Sequence, residues 1–197
     1  MGKQFPAIED NHRTFIERQK IFFVATAAPT GRVNVSPKGM DCLRVLGPNR
    51  VAYLDSTGSG NETRAHLMAN EDRRLTLMMC AFEGEPVILR LYGRAISHLR
   101  GSPEYAERLA QFQEMPGARQ IIELNVEMVQ TSCGMAVPLF DYKAERPNLT
   151  RHWLRQGFDN LRKYWALKNL KSIDGLPTGL EPEKMAAATP GPGTGGA

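Results

Sequence analysis

Asn61, Glu62, Thr63 and Arg64 stand between a Ser-Thr-Gly-Ser-Gly run at 56–60 and the helix-forming residues Ala65, His66, Leu67, Met68 and Ala69. A glycine-rich loop feeding a helix start leaves backbone N–H groups without intrahelical acceptors, and such groups attract an anion. Thr63 adds a hydroxyl, and Arg64 adds a planar cation that matches phosphate or carboxylate geometry. On these residues alone, a capped helix with a solvated Arg64 is an equal reading. Ser36, Pro37, Lys38 and Gly39 make a second polar cluster. Pro37 stops ladder pairing, Gly39 lets the chain turn, and Lys38 is left to meet a ligand anion or ring carbonyl. Taken alone, Lys38 reads more simply as a surface lysine in a turn. If Lys38 and Arg64 meet, the chemistry they make is an anion site.

Those clusters need elements to carry them. Residues 11–20 pattern as a short helix with Asn11 as its cap and Phe15 and Ile16 on one side. The apolar run 21–28 predicts a buried strand, ended by Pro29, Thr30 and Gly31, and 32–36 returns as its partner. Val33 and Val35 then share one face, and Asn34 and Ser36 the other. Residues 43–46 and 50–55 flank Gly47, Pro48 and Asn49 as a second hairpin. Strands follow at 74–82 and 87–99, with Gly93 as a bulge or sharp bend. Ser102 and Pro103 mark a helix start that runs to about Phe112. From 118 to 131, Ile122, Leu124, Val126 and Met128 alternate with Glu123, Asn125 and Glu127, the pattern of a strand with one wet face.

Hairpin-linked strands without βαβ alternation argue for an antiparallel barrel or sandwich. A Rossmann reading fails at 58–63, which lacks a third glycine and an acidic ribose partner. Residues 149–170 carry Trp153, Leu154, Phe158, Leu161, Tyr164, Trp165 and Leu167 at helical spacing, broken near Gly157. Such a stripe packs on the barrel or on a second subunit. A Pro/Gly segment at 172–180 follows, and 181–197 has no periodicity, which predicts disorder. The expected organisation is a barrel domain with its N-terminal helix at 1–140, a helical extension at 141–180 and a tail at 181–197.

The 197 residues, 42% hydrophobic and 23% charged, allow one domain with a sizeable core. A net charge of +4 is spread along the chain rather than gathered in a basic stripe, which argues against nucleic acid. Cys42, Cys80 and Cys133 show no zinc or CxxC spacing, so buried thiols in a reducing compartment are expected. The first residues lack a signal-peptide core, and no apolar run approaches a membrane span of ~20 residues. A cytoplasmic protein is expected. His66, His98 and His152 are read as structural or solvated, and no metal site is expected.

Several stretches together carry a resemblance. They are Val-Asn-Val-Ser-Pro-Lys-Gly at 33–39, Tyr-Leu-Asp-Ser-Thr at 53–57, Gly-Asn-Glu-Thr-Arg at 60–64 and Ile-Leu-Arg-Leu-Tyr-Gly at 88–93. In their order and context, residues 21–99 resemble the FMN-binding split barrel of the pyridoxamine 5′-phosphate oxidase-like family. The segments 131–138 and 172–177 resemble one subgroup of it. The resemblance implies a mainly β fold: a Greek-key antiparallel split β-barrel with flanking helices and a C-terminal helical extension. It also implies a homodimer with FMN at the subunit interface and a small-molecule substrate.

Carried over by position, Val33, Asn34, Val35, Ser36 and Lys38 run along the flavin. Asp55 and Ser56 lie near its ring or ribityl chain. Asn61 opens the helix start at which Thr63 and Arg64 hold the phosphate. Where the family's oxidases often have a second cation before this arginine, the chain has Thr63. Arg90 either approaches the site or pairs within the sheet, and residues 133–138 are candidates for contacts from the other subunit. The family's oxidases end in an arginine-containing motif that binds substrate, aided by basic residues on a late helix. This chain has Glu181 to Ala197 there instead, and Arg108 alone on the 102–112 helix. The resemblance therefore does not extend to pyridoxamine phosphate as substrate.

The implied activity is FMN-dependent transfer of a hydride or electron pair to or from a small organic molecule. The flavin carries that chemistry, and no general base is identified. A cation near the pyrimidine end would favour the anionic reduced flavin; near the phosphate it would add affinity only. Two alternatives stay open. One is a split barrel that binds or senses flavin or haem without turnover, because fold alone does not decide function. The other is a non-flavin protein that uses 149–170 as an interaction helix.

Overall fold

Lys3, Gln4 and Phe5 form a short strand, β1 (Lys3–Phe5), that no alternation marks in the sequence. The structure, a computed structural model, describes residues 2–185. Helix α1 (Asp10–Arg18) follows, burying His12 and Ile16. Its cap is Glu9 rather than Asn11: Glu9 and His12 close a reciprocal capping box, and Asn11 Oδ1 instead accepts from the His12 N–H at 2.7 Å.

Strand β2 (Phe22–Thr26) turns Phe22, Val24 and Thr26 inward, and β3 (Asn34–Lys38) pairs with it from Phe22↔Lys38 to Thr26↔Asn34. The hairpin partner thus starts two residues later than the pattern suggests, and its ladder runs through Pro37. An edge strand tolerates this because one side of it needs no donors. Strands β4 (Leu43–Gly47) and β5 (Arg50–Ser56) form the second hairpin as expected. Helix α2 (Glu62–Ala69) leads to β6 (Arg74–Cys80) and then the long β7 (Val87–Leu99). Helix α3 (Pro103–Leu109) is capped by Ser102, whose hydroxyl accepts from the Tyr105 N–H at 3.1 Å. Strand β8 (Ala118–Cys133) closes the sheet region.

The eight strands make one sheet in the order β3-β2-β6-β7-β8-β5-β4, with β1 also on β8, and every pairing is antiparallel. The sheet curls without closing, and β3 and β4 are its edges. Strand β8 is the organiser. It pairs with β7 along its length, with β5 over its first half and with β1 over its second. At Gly93 the β7/β8 register slips by one residue, so the bulge falls on β8 at Glu127. A Cβ at Gly93 would run into the Asn125 carbonyl, which is why glycine stands there.

The core is aliphatic: Val24, Leu77, Leu91, Ile121, Ile122 and Val129 are fully buried. Each such burial is worth about 1.5–3 kcal/mol.

Beyond the sheet lies α4 (Asn148–Lys168), broken at Gly157 (φ 71°, ψ 171°), as the sequence pattern foretells. Trp153, Leu161, Trp165, Leu180 and Met185 form a second apolar cluster under it. Residues 181–185 are a correction to the disorder expected from composition. Pro182–Lys184 is a 3-10 helix, and Pro182 and Met185 are buried because α4 offers them an apolar face. The expectation for 186–197 lies outside the described residues. Among the described residues, no helix is long and apolar enough to cross a membrane.

Candidate functional site

A cleft of about 520 Å³ opens where β3, the end of β5, the start of α2 and the end of α4 converge. That is a ligand-sized volume. Strand alternation explains the β3 wall. Asn34, Ser36 and Lys38 line the cleft, whereas Val33 and Val35 point outward and are 70% and 62% exposed. Ser56 arrives from β5, Gly58, Ser59 and Gly60 from the glycine-rich loop, and Glu62 and Thr63 from α2.

Beneath the floor lies a buried charge cluster. The Asp55 carboxylate, 1% exposed, accepts from Lys38 Nζ at 2.6 Å, Arg119 Nε at 2.9 Å and Gln120 Nε2 at 2.8 Å. Burial pushes this carboxyl up, but the Arg119 guanidinium and the Lys38 ammonium outweigh it and hold it well below the usual carboxylate range. Neighbours in a strand normally face opposite ways, yet Arg119 and Gln120 both reach Asp55. The reason is a register shift: Asp55 pairs with Gln120 and Ser56 with Ala118, which leaves Arg119 as a bulge residue whose side chain is re-aimed.

Helix α4 is knitted into the same place. Arg119 Nη1 also donates to the Gly60 carbonyl at 2.7 Å and to Asn169 Oδ1 at 2.8 Å, and Asn169 Nδ2 donates to the Gly58 carbonyl at 3.2 Å. The Thr57 hydroxyl accepts from Trp165 Nε1 at 2.6 Å and donates to the Gly117 carbonyl at 2.6 Å. The extension therefore fixes the loop that forms one wall, and Lys168, Lys171, Ser172 and Ile173 complete the cleft.

A second polar chain runs along the α2 side. Asn34 Nδ2 donates to Thr26 Oγ1 at 3.1 Å and to Thr63 Oγ1 at 3.4 Å, and Thr26 bonds His66 Nδ1 at 3.0 Å. Buried polar atoms that lack a hydrogen-bond partner among the described residues include Ser56 Oγ, Asn61 Nδ2 and His66 Nε2. Buried groups of this kind are normally satisfied by a ligand or water.

Of the residues singled out from sequence, Asn34, Ser36, Lys38, Ser56 and Thr63 line the cleft. Asp55 lies behind Lys38 and Arg119, where it sets their positions. Asn61 is buried, and its Oδ1 accepts from Gln120 at 2.8 Å. Val33 and Val35 belong to the outer face. Arg64 is turned away. Its Nε donates to the Thr178 carbonyl at 2.5 Å and its Nη1 to the Ser97 carbonyl at 3.4 Å, beside a separate cavity. One residue on from Thr63, a helix has rotated by about 100°, so both side chains do not face one cleft. Arg90 pairs within the sheet, donating to Ser132 Oγ at 3.1 Å.

Arg119, Gln120, Lys168 and Lys171 went unmarked in the sequence. Two adjacent polar residues opening an otherwise alternating strand are the one local sign of the Arg119 bulge. Lys168 and Lys171 look like any lysines on an amphipathic helix. A second cavity of about 470 Å³, lined by Phe23, Phe82, Phe140 and Tyr142 among others, lacks such a convergent set of buried polar groups.

The comparisons agree with this architecture. The family model for pyridoxamine 5′-phosphate oxidase matches residues 8–133. A pyridoxamine 5′-phosphate oxidase family protein of Aspergillus flavus, ustO, is 37% identical over 193 residues, covering 88% of this chain and 76% of its own. Two solved structures share the fold. A single-residue variant of HupZ from Group A Streptococcus has a TM-score of 0.51 at 21% identity, over 64% of this chain and 99% of its own. A Lactobacillus delbrueckii protein described as a candidate pyridoxamine 5′-phosphate oxidase has a TM-score of 0.50 at 17% identity, over 64% of this chain and 94% of its own. With the matched segment running from before α1 to the last residue of β8, and a relative alike over most of its length, the chain belongs to the pyridoxamine 5′-phosphate oxidase family.

Proposed function

We propose that the cleft binds FMN and that the protein is a flavin-dependent oxidoreductase acting on a small organic molecule. The observation that carries this reading is a cleft whose hydroxyls and cations converge while Ser56 Oγ and Asn61 Nδ2 stay buried without partners among the described residues. The donor set fits a flavin nucleotide. Ser36, Ser56 and Thr63 suit a polyhydroxylated chain, and the cations suit an anionic group. Bound flavin would supply hydride or electron-pair transfer. The chain's own part is placement. Asp55 pre-orients Lys38 and Arg119 at the floor, and Trp165 and Asn169 tie down the loop that forms one wall.

The C-terminal extension contributes to the cleft wall through Lys168, Lys171, Ser172 and Ile173. Cys42 and Cys80 are buried thiols as expected, whereas Cys133, the last residue of β8, is exposed.

The test is an anaerobic titration with FMN followed by NADH or NADPH. Bound flavin that the reductant bleaches, and that a small acceptor reoxidises, supports the enzyme. Bound flavin that no reductant bleaches contradicts turnover and favours the storage or sensing alternative.

A second copy is also part of this reading. Strand β3 is an edge, and edges of soluble sheets are normally blunted by charge or covered. Here its outward residues are Val35 and Pro37, with Val33 just before it, all exposed, and Val33 lines an outer groove of about 410 Å³ with Ala25 and Tyr92. A homodimer that covers this face would cover the strand carrying Asn34, Ser36 and Lys38.

A further inference from the structure

The segment after α4 lines the cleft through Lys171, Ser172 and Ile173 and is held there as a strap. It is a closed turn. Lys171 bridges Pro177, and the Ser172 hydroxyl accepts from the Asp174 and Leu176 N–H groups at 3.2 and 3.1 Å. Two clasps hold it to different elements. Asp174 accepts the Arg32 N–H at 2.7 Å and pairs with the Arg32 guanidinium, which ties the strap to the loop before β3. Glu62 accepts the Ile173 N–H through both oxygens, at 3.0 and 3.2 Å, which ties it to the start of α2. The strap therefore has a fixed place beside Thr63 and Ser59.

The last residue of α4 and the strap also carry charge. Lys168 and Lys171 line the cleft, are exposed, and have no carboxylate partner among the described residues. The other cations are committed: Lys38 and Arg119 share Asp55, and Arg64 is spent on two carbonyls outside the cleft. The positive charge left over for a ligand is thus supplied by residues beyond the matched family segment 8–133.

We infer that Lys168 and Lys171 bind the phosphate monoester of the bound flavin nucleotide, making the C-terminal strap the element that selects a phosphorylated ligand over its uncharged counterpart. This rests on the flavin reading of the cleft. The test uses the full chain and its K168A/K171A variant, titrated with FMN and with riboflavin by flavin fluorescence, at low and raised salt. Wild type is expected to favour FMN. The variant is expected to lose at least tenfold in FMN affinity, to keep its riboflavin affinity, and to show a weaker salt dependence. Unchanged FMN affinity in the variant, or an equal fall for both ligands, overturns the assignment while leaving the flavin reading intact. Wild type that binds neither flavin overturns the flavin reading and this assignment with it.

Discussion

Asp55 sits between two cations with 2% of its side chain exposed, against 5% for Arg119 and 20% for Lys38. Removing its charge leaves a buried guanidinium and a half-buried ammonium uncompensated. Breaking a buried pair in this way costs about 3–5 kcal/mol. Asp55→Asn is therefore expected to lower stability in urea denaturation by that amount at neutral pH, and a variant as stable as wild type would contradict the role given to the cluster. The pH dependence has a definite sign. Asp55 is held below its unfolded value near ~3.9, so its contribution is complete at neutral pH and is lost as pH falls below about 4. The gap between wild type and variant should narrow over that acid range. At this scale the sequence pointed to part of the cleft lining. Lys38 and Thr63 were legible because a strand end and a helix start each aim residues predictably. Arg64 was misleading because a single helical step rotates its side chain out of the cleft. Arg119 was hidden because a bulge, set by a register that only pairing defines, turns it inward.

Among the elements, α4 joins the fold to the cleft. Its aromatic spacing and its break at Gly157 were readable from the residues alone. What the spacing could not show was its polar end, where Trp165 and Asn169 hold the 57–60 loop. Composition likewise concealed the docking of Pro182 and Met185, because an isolated Pro/Glu/Lys segment has no periodicity to betray an apolar partner. Gly157 has φ 71° and ψ 171°, a region that only glycine occupies without strain. Gly157→Ala is expected to cost about 1–3 kcal/mol although nothing lies within 4 Å of the added Cβ. Thermal and urea denaturation would measure it. No loss would mean that the two halves of α4 can merge into a straight helix without penalty.

For the whole molecule, the antiparallel sheet was legible because hairpin turns and alternating strands are local signals. The strand order was not, because the pairing of β8 with β1, β5 and β7 depends on contacts far apart in sequence. The outward Val35 of β3 and Val33 just before it make assembly a property of the whole. Sedimentation velocity is expected to give about twice the 21.9 kDa chain mass, and Val35→Lys is expected to give the single-chain mass. Wild type that sediments as one chain would contradict the covered edge. The central claim concerns the cleft, and one measurement addresses it directly: the visible absorption spectrum and fluorescence of FMN titrated with purified protein. The expected result is saturable quenching, with flavin bands that sharpen into resolved vibronic structure as the ring leaves water. An FMN spectrum and fluorescence unchanged at protein excess would contradict the account.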